Sequence, residues 1–149
     1  MVSGEDFAGD DWEASEQCDT DSLQAIPAYS RGFEWGLQLE DALLEYLEGA
    51  EELEPDAPLM VACTDSLVVA ARIAGGHGMG YDDDVLCGNI VCCRQALVAA
   101  ARSVTALEEL AKQGSVPAAI LQPLIEEGRQ VKALVEQRVT ELRSRVWWQ

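Results

Sequence analysis

Positive charge is scarce in this chain and nearly missing from its first third. Ten Lys and Arg residues stand against 27 Asp and Glu, for a net charge of −17 over 149 residues. Residues 1–56 hold seventeen acids and a single base, Arg31, whereas residues 57–149 hold ten acids and nine bases. Phosphate backbones and anionic lipid headgroups are repelled by such a surface, which argues against general nucleic-acid binding and peripheral membrane binding. A basic protein partner is the expectation that remains.

Other absences narrow the field further. There is no run of about 18 uninterrupted apolar residues, and the opening MVSGEDFAGDDWE is acidic where a secretory signal would be basic and then apolar. The expectation is a cytoplasmic protein. Five cysteines, at 18, 63, 87, 92 and 93, form no C-x-x-C, and only one histidine accompanies them. This is neither a disulfide framework nor a structural zinc pattern, so reduced thiols and no metal are expected. The phosphate-cradling G-x-x-x-x-G-K, the dinucleotide G-x-G-x-x-G and the nucleophile elbow G-x-S-x-G are all missing. So is the Glu-x-x-His of di-iron bundles, and no cofactor is expected.

What the sequence does have is helical periodicity. Residues 1–22 are rich in Asp, Glu, Ser and Gly, with Phe7 and Trp12 among acids, and read as a disordered acidic tail. Residues 23–149 read as one domain. Pro27 limits any helix in LQAIPAY. From Gly32 to about Leu53 apolar residues recur at Leu39, Leu43, Tyr46, Ala50 and Leu53, widened by Leu37, Leu44 and Leu47, with Ser30 as the expected N-cap. The other face carries Glu34, Glu40, Asp41, Glu45, Glu48, Glu51 and Glu52 with no base between them.

A second helix is expected from Leu59 to Ala74, its buried side being Met60, Cys63, Leu67, Ala71 and Ala74, with Gly75 and Gly76 ending it. A third, capped by one of Asp82, Asp83 and Asp84, has a stripe at Leu86, Ile90, Cys93, Leu97, Ala100, Val104, Leu107 and Ala111, where spacings alternate between four and three. Gly114 stops it. Ser115 then caps a fourth, with Pro117 in its first turn and Leu121, Leu124, Val131, Val135, Val139, Leu142 and Val146 facing inward. The fold class expected is all-α, an antiparallel up-down-up-down four-helix bundle. In that arrangement Arg129, Lys132, Arg138, Arg143 and Arg145 of the last helix should answer some acids of the first, and Cys63 should meet Cys93 at equal height about 15–17 Å from the turn.

Function points to two places. The first is the acidic face, with Glu40, Asp41, Glu45 and Glu48 as a surface for a basic partner of an adaptor or inhibitor. The second is GGHGMGYDDD at 75–84, expected as a glycine-rich loop that offers His77, Met79, Tyr81 and Asp82 for ligand binding. Three consecutive aspartates at a helix start point about 100° apart and cannot all converge on one ion. Trp147 and Trp148 offer an aromatic anchor for a partner or a second copy.

Arg72 and His77 stand as R-x4-H, with Tyr81 four residues on. In that pair and in its expected helical architecture the chain resembles ribonuclease domains of the HEPN type. The resemblance implies His77 as general acid or base and Arg72 as stabiliser of the phosphorane charge, with Tyr81 beside them. The chain departs from that family where RIAGGHG lacks a polar residue after the arginine and places the histidine among glycines.

Overall fold

The computed structural model of the protein describes residues 21–50 and 52–147. The expected acidic tail lies outside the described residues apart from Asp21 and Ser22, as do Glu51 and Trp148. Residues 21–24 are helical. Among the described residues the protein is all-helical, with no strands. Four long helices follow: α1 (Pro27–Glu48), α2 (Pro58–Met79), α3 (Leu86–Gln113) and α4 (Ala118–Arg143).

Prolines set three of the four starts. Pro27 and Pro58 occupy the first helical positions of α1 and α2, where a missing N–H costs nothing and a fixed φ is already helical. The helical residues 21–24 end before Pro27, and Pro27 starts the next helix. Ser30 is not the cap; it lies inside the first turn, its hydroxyl donating back to the Ile26 carbonyl at 3.3 Å. Pro117 itself is the N-cap of α4 and Val85 that of α3, so neither Ser115 nor Asp82, Asp83 or Asp84 caps with its side chain. Gly114 ends α3 as expected, in the left-handed conformation at φ 70°. Helix α1 stops at Glu48, short of Leu53.

The largest departure concerns the glycines after Ala74. Helix α2 does not stop at Gly75 and Gly76; it continues through GGHGM and ends only at Gly80, whose φ of 102° suits a residue without Cβ. At Gly76 the reason is contact. A Cβ there would stand 2.5 Å from Asn89 Oδ1 and 3.0 Å from the Asn89 carbonyl oxygen, so α3 comes as near as backbone permits. Asn89 is fully buried, and its amide donates to the Gly80 carbonyl at 3.0 Å. One side chain thus caps the end of α2 and fixes its height on α3. Further along the hairpin, Ser103 donates to the Ala62 carbonyl at 2.8 Å.

That register separates the cysteines. Ala62 lies opposite Ser103 and Gly76 opposite Asn89, so paired positions sum to 165, whereas 63 and 93 sum to 156. The nine-residue offset is about 13 Å along the axes. Cys63 and Cys93 are consequently not neighbours. Both are free thiols, as are Cys87 and Cys92.

Each helix packs on the next in the chain, and α1 also packs on α4. Trp35, Leu39 and Leu43 of α1, Ile73 of α2, Leu107 of α3 and Leu121, Val131, Val135 and Leu142 of α4 are fully or almost fully buried. Trp35 lies against Gly128, where a Cβ would come within 2.6 Å of its ring, and its indole N–H donates to the Leu124 carbonyl at 2.9 Å. The buried stripes of α3 and α4 follow the expected positions, with Leu97, Ala111 and Val146 at the half-buried edge. In α2 the stripe is rotated. Leu59, Ala62, Ser66, Val69, Ala70 and Ile73 are buried beside Cys63, while Leu67 and Ala71 are exposed and Met60 and Ala74 half-buried. Small residues at 62, 66 and 70 let neighbouring helices approach closely, which larger ones would prevent. Both α2 and α3 have the length and composition to cross a membrane, with mean hydropathy of 1.4 over an 18-residue window of which 44% is buried inside the protein.

The four glycines between 75 and 80 should therefore behave differently. Gly76→Ala is expected to destabilise the protein by roughly 1–3 kcal/mol through overpacking. Gly75→Ala and Gly78→Ala, with nothing within 4 Å of the added methyl, should each stabilise it by up to about 1 kcal/mol through helix propensity. Urea unfolding followed by circular dichroism measures all three.

Candidate functional site

Because α2 runs on through the glycines, His77 is a helical residue and Tyr81 follows it one turn later, just past the helix end. Tyr81 Oη lies 2.6 Å from His77 Nδ1 and accepts a hydrogen bond from Arg138 Nη2 of α4 at 2.7 Å. His77 Nε2 lies 2.9 Å from Ser22 Oγ. The result is a hydrogen-bonded chain from Arg138 through Tyr81 and His77 to Ser22, in which the arginine can only donate. It ties α4, the end of α2 and the segment before α1. The Arg145 guanidinium lies over the Tyr81 ring, 5.2 Å from its centroid.

Arg138 also stands beside the buried Cys93 thiol. Burial raises the Cys93 pKa, and the charge and hydrogen bonding of Arg138 oppose that rise without cancelling it. Cys93 is therefore a neutral thiol at ordinary pH, weakly bonded to Asn89 Oδ1 at 3.5 Å.

The other residues singled out around the hairpin are not drawn into one cluster. Arg72 and His77 are five positions apart on one helix, about 140° around its axis, and both His77 nitrogens are engaged. Met79 is about half exposed, its thioether 4.0 Å from the Cys92 thiol and its methyl over Gly88. Asp82, Asp83 and Asp84 are exposed. Asp83 accepts from the indole N–H of Trp147 at 3.1 Å, so Trp147, though 74% exposed, is held against the hairpin end. Among the described residues no three His, Cys, Asp or Glu side chains are placed to hold a metal ion.

No family model, curated protein or solved structure matches the chain. The site has to be judged on its own geometry.

The acidic face of α1 is the second place. Glu34, Glu40, Asp41, Glu45 and Glu48 are all exposed, and none has an ion-pair partner among the described residues. Among the described residues α4 gives these five acids no ion pair. The ion pair between α1 and α4 runs in the opposite sense: Arg31 grips Glu127 in a two-pronged contact at 2.7 and 2.9 Å and also donates to Gln130. The other ion pairs, Arg102 with Asp65 and Arg129 with Glu108, leave α1 untouched. Arg138 of α4 and Arg145, just past its end, are occupied with Tyr81.

Large apolar side chains are interleaved with these acids. Phe33, Leu37 and Leu44 of α1 and Leu67 of α2 are each about half exposed. Three of them line a groove between α1 and α2, whose floor is Gly32, Ser66 and Ala70 and whose ends include Tyr29 and Ala74. The floor is low because α1 meets α2 closely: a Cβ on Gly36 would lie 3.1 Å from the Ser66 carbonyl oxygen. Further along the same crevice Glu40 is near Cys63, and burial together with that carboxylate pushes the Cys63 thiol up to about 11. Sequence reasoning assigned Leu37 and Leu44 to the core and missed the groove. The signal was present, since Phe33, Leu37, Glu40 and Leu44 form a second row with spacings of four, three and four, offset from the buried row.

Two outcomes follow from this chemistry. Tyr81→Phe removes the hydroxyl that joins Arg138 to His77, and should cost about 1–3 kcal/mol in urea unfolding, while Arg72→Ala leaves stability within about 0.5 kcal/mol. For Cys63 the folded pKa of about 11 lies above the ordinary 9.0. The neutral thiol's contribution is intact below pH 9 and is lost as pH rises through 11. The urea midpoint of the wild type should therefore fall more than that of Cys63→Ala between pH 8.5 and 10.5.

Proposed function

We propose that the chain is an up-down-up-down four-helix bundle that acts in the cytoplasm as a non-catalytic interaction module, an adaptor or inhibitor, with the α1 face as its surface for a basic protein. The topology is supported by the sense of the contacts. Residue 32 meets 69 while 36 meets 66, and residue 31 meets 127 while 35 meets 124, so α1 runs against both α2 and α4. Ser103 on Ala62 and Asn89 on Gly80 give α2 and α3 the same opposed sense.

One observation carries the functional reading: among the described residues five exposed acids on α1 have no ion-pair partner, although nine bases follow in the later part of the chain. Arg102, Arg129 and Arg138 are engaged with Asp65, Glu108 and Tyr81 instead. Unpaired carboxylates on one helix face concentrate negative potential, which steers a cationic partner and selects against phosphate or lipid headgroups. The His77 cluster supports a structural role, because both imidazole nitrogens and the Tyr81 hydroxyl are hydrogen-bonded within the protein.

The test uses a labelled oligolysine and fluorescence anisotropy at 50 and 300 mM salt. Binding should weaken steeply with salt. Joint replacement Glu40→Gln, Asp41→Asn, Glu45→Gln and Glu48→Gln should weaken it at least tenfold at low salt. The same charge change at Glu109, Glu126, Glu136 and Glu141 should alter it less than threefold, and His77→Ala not at all. Equal losses from the two charge sets would sink the reading.

A further inference from the structure

The groove beside the acids defines the shape of the partner as well as its charge. We infer that the crevice between α1 and α2 takes a single amphipathic helix of a basic partner, about four turns long, with large apolar side chains in heptad phase and a Lys or Arg opposite Glu40. This rests on the reading of the α1 face given above and adds the form of the ligand.

The length comes from the row itself. From Tyr29 to Leu44 is fifteen residues of helix, about 22 Å, which matches a partner helix of roughly fifteen residues. The phase comes from Phe33, Leu37, Glu40 and Leu44, whose spacings are those of a coiled-coil seam, so a helix laid along them inserts about one side chain per turn. The depth comes from Gly32, Ser66 and Ala70, which leave a cavity of about 190 Å³ between the walls formed by Phe33, Leu37 and Leu67. That volume accommodates a Leu- or Phe-sized anchor, the kind of contact that dominates helix-in-groove binding.

Glu40 decides who the occupant is. It interrupts the apolar row between Leu37 and Leu44, and no base of this chain answers it among the described residues. A second copy would bring another acidic α1 face, on a chain of net charge −17, against the first. The chain's own residues 1–20 contain Phe7 and Trp12 but also seven acids and no base. Like charges placed across a seam are disfavoured, and both of these occupants pair acid with acid. A foreign helix with a cation at the matching position turns the same residue into a specificity contact.

The test takes a labelled fifteen-residue peptide with Leu at the seam positions, one central Lys in the seam, Lys and Arg on its flanks, and the full chain as receptor. Leu37→Asp combined with Leu67→Ser, both at exposed positions and checked by circular dichroism, should weaken the peptide at least tenfold while changing oligolysine binding less than threefold. Replacing the central Lys of the peptide by Glu should also weaken it at least tenfold. Peptide binding that the groove variant leaves unchanged overturns the inference, even where the acid replacements still abolish oligolysine binding and so uphold the wider reading. Two other results overturn it by naming a different occupant. One is a dimer in sedimentation that Leu37→Asp converts to monomer; the other is a tenfold gain in peptide affinity on replacing Phe7 and Trp12 by Ser.

Discussion

Helices α2 and α3 can come together only because position 76 has no side chain. With the Asn89 side chain and backbone lying where a Cβ would be, the two helices reach a separation that no other residue permits, and the Asn89 amide then closes the Gly80 carbonyl. Much of the rest follows from this contact. It sets the height of α2 on α3, which puts Ser103 beneath the Ala62 carbonyl and keeps Cys63 and Cys93 apart. It also carries the α2 helix as far as Met79, so that His77 and Tyr81 lie one turn apart and can be bridged to Arg138.

The order and number of long helices, and the inward faces of α3 and α4, were legible in the sequence because their apolar residues are large and regularly spaced. The face of α2 was not. Its buried positions are small, Ala62, Ser66, Ala70 and Gly76, and periodicity weighted toward Leu and Met selects the wrong side. The glycine run misled for a related reason. Local propensity says that glycines end a helix, and tertiary packing overrode it where close approach was worth more than the lost propensity. The caps of α1 and α4 were misplaced where a serine stood near a proline, since proline at the first helical turn needs no side-chain cap.

Of the two candidate places, the histidine segment was conspicuous in sequence and is joined to its surroundings by hydrogen bonds to Ser22 and, through Tyr81, to Arg138. The α1 face was visible only as excess charge. Its apolar component was concealed because Leu37 and Leu44 look like core residues when α1 is drawn as one broad stripe. Two rows run along that helix instead. One row, with Trp35, Leu39 and Leu43, is buried, and the other, with Phe33, Leu37 and Leu44, remains at the surface among acids.

The contacts between helices have a bearing on how the chain finds its fold. All but one of the helix pairs are neighbours in sequence, and each can form by closing a loop of modest length. The exception is α1 on α4, where Arg31 and Glu127 are 96 positions apart. Loop-closure entropy rises only slowly with length, and by the time α1 meets α4 the intervening helices have already shortened the search. A topology so dominated by local contacts belongs with rapid folders. The indole of Trp35, lodged against Gly128 across that last interface, reports the moment of closure.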